Sequence, residues 1–220
     1  MAQKVDFSLY LITDRSVIPP GSSLPDAVGE ALQGGVKCVQ LREKDLSPVS
    51  LFSLALELRE LTRRYGAKLL INDRADIALA YAADGVHLTS TSLPVGEIRK
   101  IIGPDLLIGV STHRLDEILT AQQDGADFVT FGPVYFTPSK AAFGPPVGLE
   151  KLQEVCRLSA LPVFALGGVK LERLDEIMAS GTAGVALISA VLGFPDAGSR
   201  AKRFIRLLGE RKERQGLSSA

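Results

Sequence analysis

Short apolar runs alternate along this chain with longer stretches whose apolar residues recur every three or four positions. The runs read as strands and the stretches as helices. The first run, Ser8 to Thr13, ends at Asp14 and opens into a loop. Pro25 to Leu32 then carries Ala27, Val28, Ala31 and Leu32 at helical spacing, with Gly34 and Gly35 as its stop. Val36 to Arg42 is the second strand. Its alternation puts Val36, Cys38, Gln40 and Arg42 on one face and Lys37, Val39 and Leu41 on the other. Ser47 as N-cap and Pro48 at the first helical position open the next helix, and Leu51, Leu54, Ala55, Leu58 and Leu61 mark its buried stripe. The pattern then repeats, with strands expected over 67–71, 85–88, 106–111, 127–131, 161–166 and 184–189. Helices are expected over 76–83, 94–102, 115–123, 149–158, 171–179 and 197–208, and a polar tail frays from about 210.

Eight strands thus alternate with eight helices, with no shift in composition to mark a boundary, so 1–220 reads as one domain. The strands are continuous apolar runs, as parallel strands covered on both faces must be. A doubly wound open sheet shares this alternation. The count of eight, the length, and the lack of a Gly-x-Gly-x-x-Gly after the first strand favour an α/β fold of the closed (β/α)₈ (TIM) barrel type.

Charge narrows the functional classes. Lys+Arg and Asp+Glu are both 25, giving a formal net charge of +0, so there is no basic excess of the kind nucleic-acid binding uses. No long uncharged apolar run suggests a membrane span, and the N-terminus has no apolar signal core. Cys38 and Cys156 form neither a metal-ligand spacing nor a disulfide framework, and two free thiols fit a cytoplasmic protein. A homo-oligomer is compatible with a barrel of this size.

In such a barrel, chemistry gathers at the carboxyl ends of the strands. Here those ends carry Thr13 and Asp14, Gln40 and Arg42, Asn72 and Asp73, His87 and Thr89, Ser111, Gly167 and Gly168, and Ser189. Arg42 shares a face with Cys38 and Gln40, so one pleat surface turns from apolar to cationic at its mouth end. A guanidinium there needs an anionic partner, either a ligand or a neighbouring carboxylate. After the sixth strand comes Gly132 to Gly148, with four prolines and three glycines. That density excludes a helix or a central strand and leaves a long loop. Thr137, Ser139 and Lys140 within it suit an anion such as phosphate, although a plain surface loop would also be rich in such residues. Gly167-Gly168 and Ser189 end the seventh and eighth strands, where barrels often bind phosphate through backbone N–H groups.

Several of these segments together resemble the thiamine phosphate synthase family. They are V-Q-L-R-E-K at 39–44, I-N-D-R at 71–74, D-G-V-H-L at 84–88 and G-V-S at 109–111. G-P-V-Y-F-T-P-S-K at 132–140, G-G at 167–168 and I-S-A at 188–190 follow in family order. The resemblance implies a (β/α)₈ barrel. It also implies a transferase that joins a hydroxymethylpyrimidine pyrophosphate to a thiazole phosphate, releasing thiamine phosphate and pyrophosphate. By the same resemblance, Gln40, Arg42, Lys44, Asn72, Ser111 and Lys140 hold the pyrimidine pyrophosphate, and Arg42, Lys44 and Lys140 assist its departure. Thr137, Ser139, Gly168, Ile188 and Ser189 hold the thiazole phosphate. Asp73 ligates Mg²⁺, and the partners are small phosphorylated substrates.

The sequence departs from the family pattern after the fourth strand. The synthases usually carry G-Q-x-D there, whose Asp is a second Mg²⁺ ligand; this chain has Thr89-Ser90-Thr91-Ser92, so Ser92 is at most a weak ligand. The related thiazole tautomerases also lack that Asp, but carry a catalytic His where this chain has Pro133. Two alternatives therefore stand beside the synthase: a tautomerase-like isomerase, and a non-catalytic barrel that binds thiazole or thiamine phosphate.

Overall fold

The computed structural model describes residues 4–137 and 144–217. Its strands close into a parallel barrel in sequence order: β1 (Leu9–Ile12), β2 (Cys38–Leu41), β3 (Lys68–Asn72), β4 (Gly85–Leu88), β5 (Leu107–Thr112), β6 (Phe128–Phe131), β7 (Val163–Leu166) and β8 (Gly184–Leu187). Closure is made by β1 pairing with β8, Tyr10 opposite Ala186. Around the barrel run α1 (Leu24–Gln33), α2 (Pro48–Arg64), α3 (Ala75–Ala80), α4 (Val95–Ile102) and α5 (Leu115–Gln123). They are followed by α6 (Gly148–Leu158), α7 (Leu174–Ala179), α8 (Ser189–Leu192) and α9 (Ala197–Leu217).

The local signals act as expected at the clearest helix starts. The Ser47 side chain accepts the backbone N–H of Ser50 and caps α2, and Ser23 does the same for Asp26 at the start of α1. Most strand and helix ends shift by one to three residues from the sequence reading, and three differences have a clear cause. Ser189 does not end β8; it opens the four-residue helix α8. The segment 188–192 is apolar apart from Ser189 and too short for its period to separate strand from helix. The last helix does not end near 208 but continues to Leu217. The sequence over 209–217 is mostly charged and polar, and such a stretch carries no amphipathic signal. The stretch before α7 begins as a 3₁₀ turn at Leu171–Arg173.

Two hydrophobic clusters result from the alternation. The larger lies between barrel and helices and takes one face of each strand, such as Leu9, Leu11, Val39, Leu41, Leu69 and Ile71. The smaller fills the barrel itself: Phe7, Tyr10, Cys38, Leu70, Phe128 and Phe164 are its main members. Its rings pack closely, Phe7 edge-on to Phe128 at 5.6 Å and stacked on Phe164 at 5.1 Å between centroids. This aromatic plug closes the barrel below, so polar side chains facing inward above it are reached from the mouth.

Matched ion pairs pin the strand starts. Asp84, just before β4, accepts the Leu69 N–H at 2.8 Å and Arg59 Nη1 at 2.6 Å. Asp127, just before β6, accepts the Ile108 N–H at 2.8 Å and Arg99 Nη2 at 2.6 Å. A one-residue slip would turn every inward side chain outward, so fixing register at this end fixes which residues face the mouth.

Candidate active site

Strand β2 carries Gln40 and ends at Leu41, one residue short of the expected end, with Arg42 directly after it. Thr13, after β1, donates its N–H to the Gln40 carbonyl at 2.9 Å, and its Oγ1 accepts the Arg42 N–H at 2.9 Å. The backbone at Arg42 is therefore anchored while its side chain is half-buried. Among the described residues the guanidinium has neither an ion pair nor a hydrogen bond. The neighbouring Glu43 turns away and accepts the Arg15 N–H at 3.1 Å. Of the two partners open to Arg42 from sequence, the structure thus supplies no carboxylate. Lys44 follows and is exposed.

At the end of β3 the chain turns through Asp73, which has φ 61. That left-handed conformation is uncommon outside glycine, and Asp and Asn adopt it most readily. It sets the Asp73 carboxylate beside two other oxygen-bearing side chains. Ser92 Oγ donates to Asp73 Oδ1, and Asn72 Nδ2 donates to Oδ2 at 2.9 Å. Because a carboxylate only accepts, the Asn72 amide must face it with its nitrogen. Asn72 Oδ1 is then left buried without a partner.

These oxygens suit a hard divalent cation. Among the described residues no three acidic, histidine or cysteine side chains gather as a self-sufficient metal site. Mg²⁺ does not need one: it commonly takes one or two carboxylates and completes its shell with water and substrate phosphate. The unpartnered Asn72 oxygen next to the Asp73 carboxylate fits that demand, and Ser92 offers a neutral third oxygen.

From β4 and β5 come His87 and Ser111. His87 is buried; its Nδ1 lies 3.2 Å from the Tyr10 hydroxyl and its Nε2 3.0 Å from Ser111 Oγ. The ring fits because position 109 is glycine. A Cβ there would come within 2.6 Å of His87 Nδ1 and 2.4 Å of the Phe128 ring. Burial, then the nearby Arg42 charge, push the His87 pKa down to about 3. It is therefore neutral across the physiological range.

That shift has a stability consequence with a definite sign. The native imidazole stays neutral below pH 6.5, whereas the unfolded chain takes up a proton there. His87 thus contributes nothing to pH dependence above 6.5, and stability falls as pH drops from 6.5 towards 3. The slope from this group is at most about 1.4 kcal/mol per pH unit. Urea unfolding at pH 6.5, 5.5 and 4.5, with EDTA present, should show a shallower fall for His87→Gln by roughly that amount per unit.

On the far side of the mouth, the loop after β6 folds over the end of β7. Val134 N–H bonds to the Leu166 carbonyl at 2.8 Å and Tyr135 N–H to the Gly167 carbonyl at 3.1 Å. This explains Gly168: at φ +65, a Cβ would lie 2.7 Å from Tyr135 Cβ. The glycine is demanded by the packed loop, a cause the sequence could not display. Thr137 is half-buried at the last described position of this loop. Ser139 and Lys140 lie outside the described residues. Ile188 is half-buried and Ser189 exposed at the start of α8. A cavity of about 740 Å³ adjoins this side, lined by Tyr135, Val147, Lys170, Arg173 and Gly168 among others. Arg173 stacks on Tyr135 at 4.1 Å.

One mouth thus collects a free arginine, a carboxylate beside an unpartnered amide oxygen, and a serine held by a buried histidine. A family model described as thiamine monophosphate synthase matches residues 9–191. The chain belongs to this family. It is 54% identical over 208 residues to a Geobacter sulfurreducens protein, covering 94% of this chain and 97% of that one. Identity to the thiamine-phosphate synthase of Clostridium novyi is 43% over 188 residues, 86% of this chain and 92% of that one. Among solved structures, a thiamine phosphate pyrophosphorylase from Pyrococcus furiosus superposes with a TM-score of 0.84 at 35% identity, covering 95% of this chain and 98% of that one.

Sequence reasoning missed Tyr10 and Thr130. Tyr10 read only as a strand residue, although a tyrosine in an all-apolar run needs a partner for its hydroxyl. Thr130, on β6 opposite Ser111, is buried with its hydroxyl unpartnered. Membership of a thiamine-phosphate-synthase family does not by itself assign a role to either.

Proposed function

We infer that the protein is a thiamine-phosphate synthase, a transferase that joins a hydroxymethylpyrimidine pyrophosphate to a thiazole phosphate. The observation that carries this reading is the half-buried Arg42 guanidinium, free of any protein acid, in a mouth shared with Gln40, Asn72, Asp73 and Ser111. A cation held that way has its counter-charge to come, and a pyrophosphate supplies it.

In the reaction, the bond between the pyrimidine methylene carbon and a pyrophosphate oxygen breaks, and its electron pair leaves on the oxygen. The thiazole nitrogen then gives its lone pair to the methylene carbon, forming the new C–N bond. Arg42, with Lys44 and Lys140, binds the pyrophosphate and stabilises the negative charge it gathers on leaving. Gln40, Asn72 and Ser111 orient the pyrimidine half. Thr137, Gly168, Ile188 and Ser189, on the opposite side of the mouth, hold the thiazole phosphate, with Ser139 as a further ligand. The Mg²⁺ ion, held by Asp73 with Asn72 and Ser92, supplies further charge neutralisation of the pyrophosphate when bound. The aromatic plug and the loop after β6 keep water from the methylene cation. The substrates are soluble, no described helix is long and apolar enough to cross a membrane, and the free thiols of Cys38 and Cys156 suit work in the reducing cytoplasm.

The direct test is to incubate the pure protein with both substrates and Mg²⁺, and to follow thiamine phosphate by chromatography. Product that disappears with EDTA supports the reading. Thiazole phosphate binding without product would turn it towards a binding barrel, and metal-independent isomerisation of the thiazole towards a tautomerase.

The metal site makes its own prediction. Ser92→Asp sets a second carboxylate against Asp73. Without Mg²⁺ the two repel; with it they share the ion. The half-saturating Mg²⁺ concentration should fall about tenfold, and Mg²⁺ should raise the melting temperature of the variant more than that of the native chain. An unchanged Mg²⁺ titration would remove Ser92 from the metal site.

A further inference from the structure

Between the aromatic plug and the mouth, four side chains from four strands form one line of hydrogen bonds: Gln40 on β2, Tyr10 on β1, His87 on β4 and Ser111 on β5. Their proton directions determine one another. Gln40 Nε2 donates to the Tyr10 hydroxyl oxygen at 2.9 Å. A phenol has one proton, and Tyr10 is fully buried, so that proton goes to its remaining partner, His87 Nδ1, at 3.2 Å. A neutral imidazole that accepts at Nδ1 carries its proton on Nε2, and this proton goes to Ser111 Oγ at 3.0 Å. Ser111, having accepted from His87, keeps its own proton to donate. Ser111 is also the half-exposed end of the line, whereas Gln40, Tyr10 and His87 are all buried.

We propose that Tyr10 and His87 are positioning residues for the synthase reaction, holding the Ser111 hydroxyl as a hydrogen-bond donor to the pyrimidine pyrophosphate substrate. The same line ties the nitrogen of the Gln40 amide to the barrel and leaves its carbonyl as the end able to accept from that substrate. The role rests on the synthase reading above; the direction of the line does not. Turning the Gln40 amide over would reverse every bond. Tyr10 would donate to Gln40 Oε1, His87 would carry its proton on Nδ1, and Ser111 would donate inward and offer only lone pairs to the substrate. A pyrophosphate oxygen or a ring nitrogen needs a donor, so only the first direction serves this substrate. The surroundings fix the imidazole in place for it. Phe128 packs at 6.0 Å between centroids, and Gly109 leaves the space that a Cβ would fill against His87 Nδ1.

The two directions differ in the His87 tautomer, which nitrogen NMR of the full chain labelled at histidine reads directly. The chain has two histidines, so a His113→Gln variant assigns both signals. The expected result is an Nε2–H tautomer at His87. Tyr10→Phe keeps the ring within the aromatic plug but removes the hydroxyl, and should mix the tautomers while lowering kcat/KM for thiamine phosphate about tenfold. His87→Gln, whose amide N–H can stand in for Nε2–H, should retain about tenfold more activity than His87→Leu. An Nδ1–H tautomer in the native chain overturns the proposal. So does a tautomer unmoved by Tyr10→Phe, or equal activity in the Gln and Leu variants. If the native chain makes no thiamine phosphate, the synthase reading fails and the positioning role falls with it, while the tautomer still decides the direction of the line.

Discussion

Arg42→Ala is expected to lower kcat/KM for thiamine phosphate formation by about a thousandfold while leaving stability within about 0.5 kcal/mol. Both halves follow from one fact. The guanidinium makes no protein ion pair or hydrogen bond among the described residues, and its backbone is held independently by Thr13. Removing it orphans no carboxylate and opens no hole in the plug. On the role proposed for Arg42, what disappears is the cation that meets the leaving pyrophosphate, and charge developing there is costly to leave unmatched. Arg42→Lys keeps the charge but not the two-pronged donor, so it should recover part of the rate. Steady-state kinetics together with urea unfolding check both statements. A variant that unfolds more easily by 2 kcal/mol or so yet keeps its rate would make Arg42 a structural residue instead.

The sequence displays those features of the site that are local. Alternation along β2 shows that Cys38, Gln40 and Arg42 share a face, and the structure puts Cys38 in the plug with Gln40 above it. Strand ends at Asn72 and Ser111 follow from short apolar runs meeting polar residues. What stays hidden depends on closure of the barrel. Tyr10 and His87 are 77 residues apart and meet only across its interior, so no spacing rule links them. The need for glycine at 168 arises from Tyr135, on another loop. Ser92 is legible only as a departure from a family pattern; that its hydroxyl turns to Asp73 is a fact of packing. The helix α8 fails for a different reason: a serine and three apolar residues have no period to read.

Asp73→Asn should separate function from stability. Asparagine tolerates the left-handed backbone at φ 61 as well as aspartate does, so the turn after β3 survives. Its oxygen can still accept from Ser92. Its new N–H₂ faces the Asn72 amide, which can turn over and accept with its oxygen, so the pair keeps its hydrogen bond while the Asn72 N–H₂ takes the unpartnered place. An unmet buried polar group costs about 1–3 kcal/mol as donor or acceptor, so exchanging one for the other should leave the melting temperature near that of the native chain. Activity should nevertheless fall by about a hundredfold or more, and its Mg²⁺ dependence should flatten, because the one carboxylate of the site is gone. A residue kept only for structure would lose stability and rate together. A large loss of rate at nearly unchanged stability would mark the Asp73 carboxylate as one kept for a bound cation.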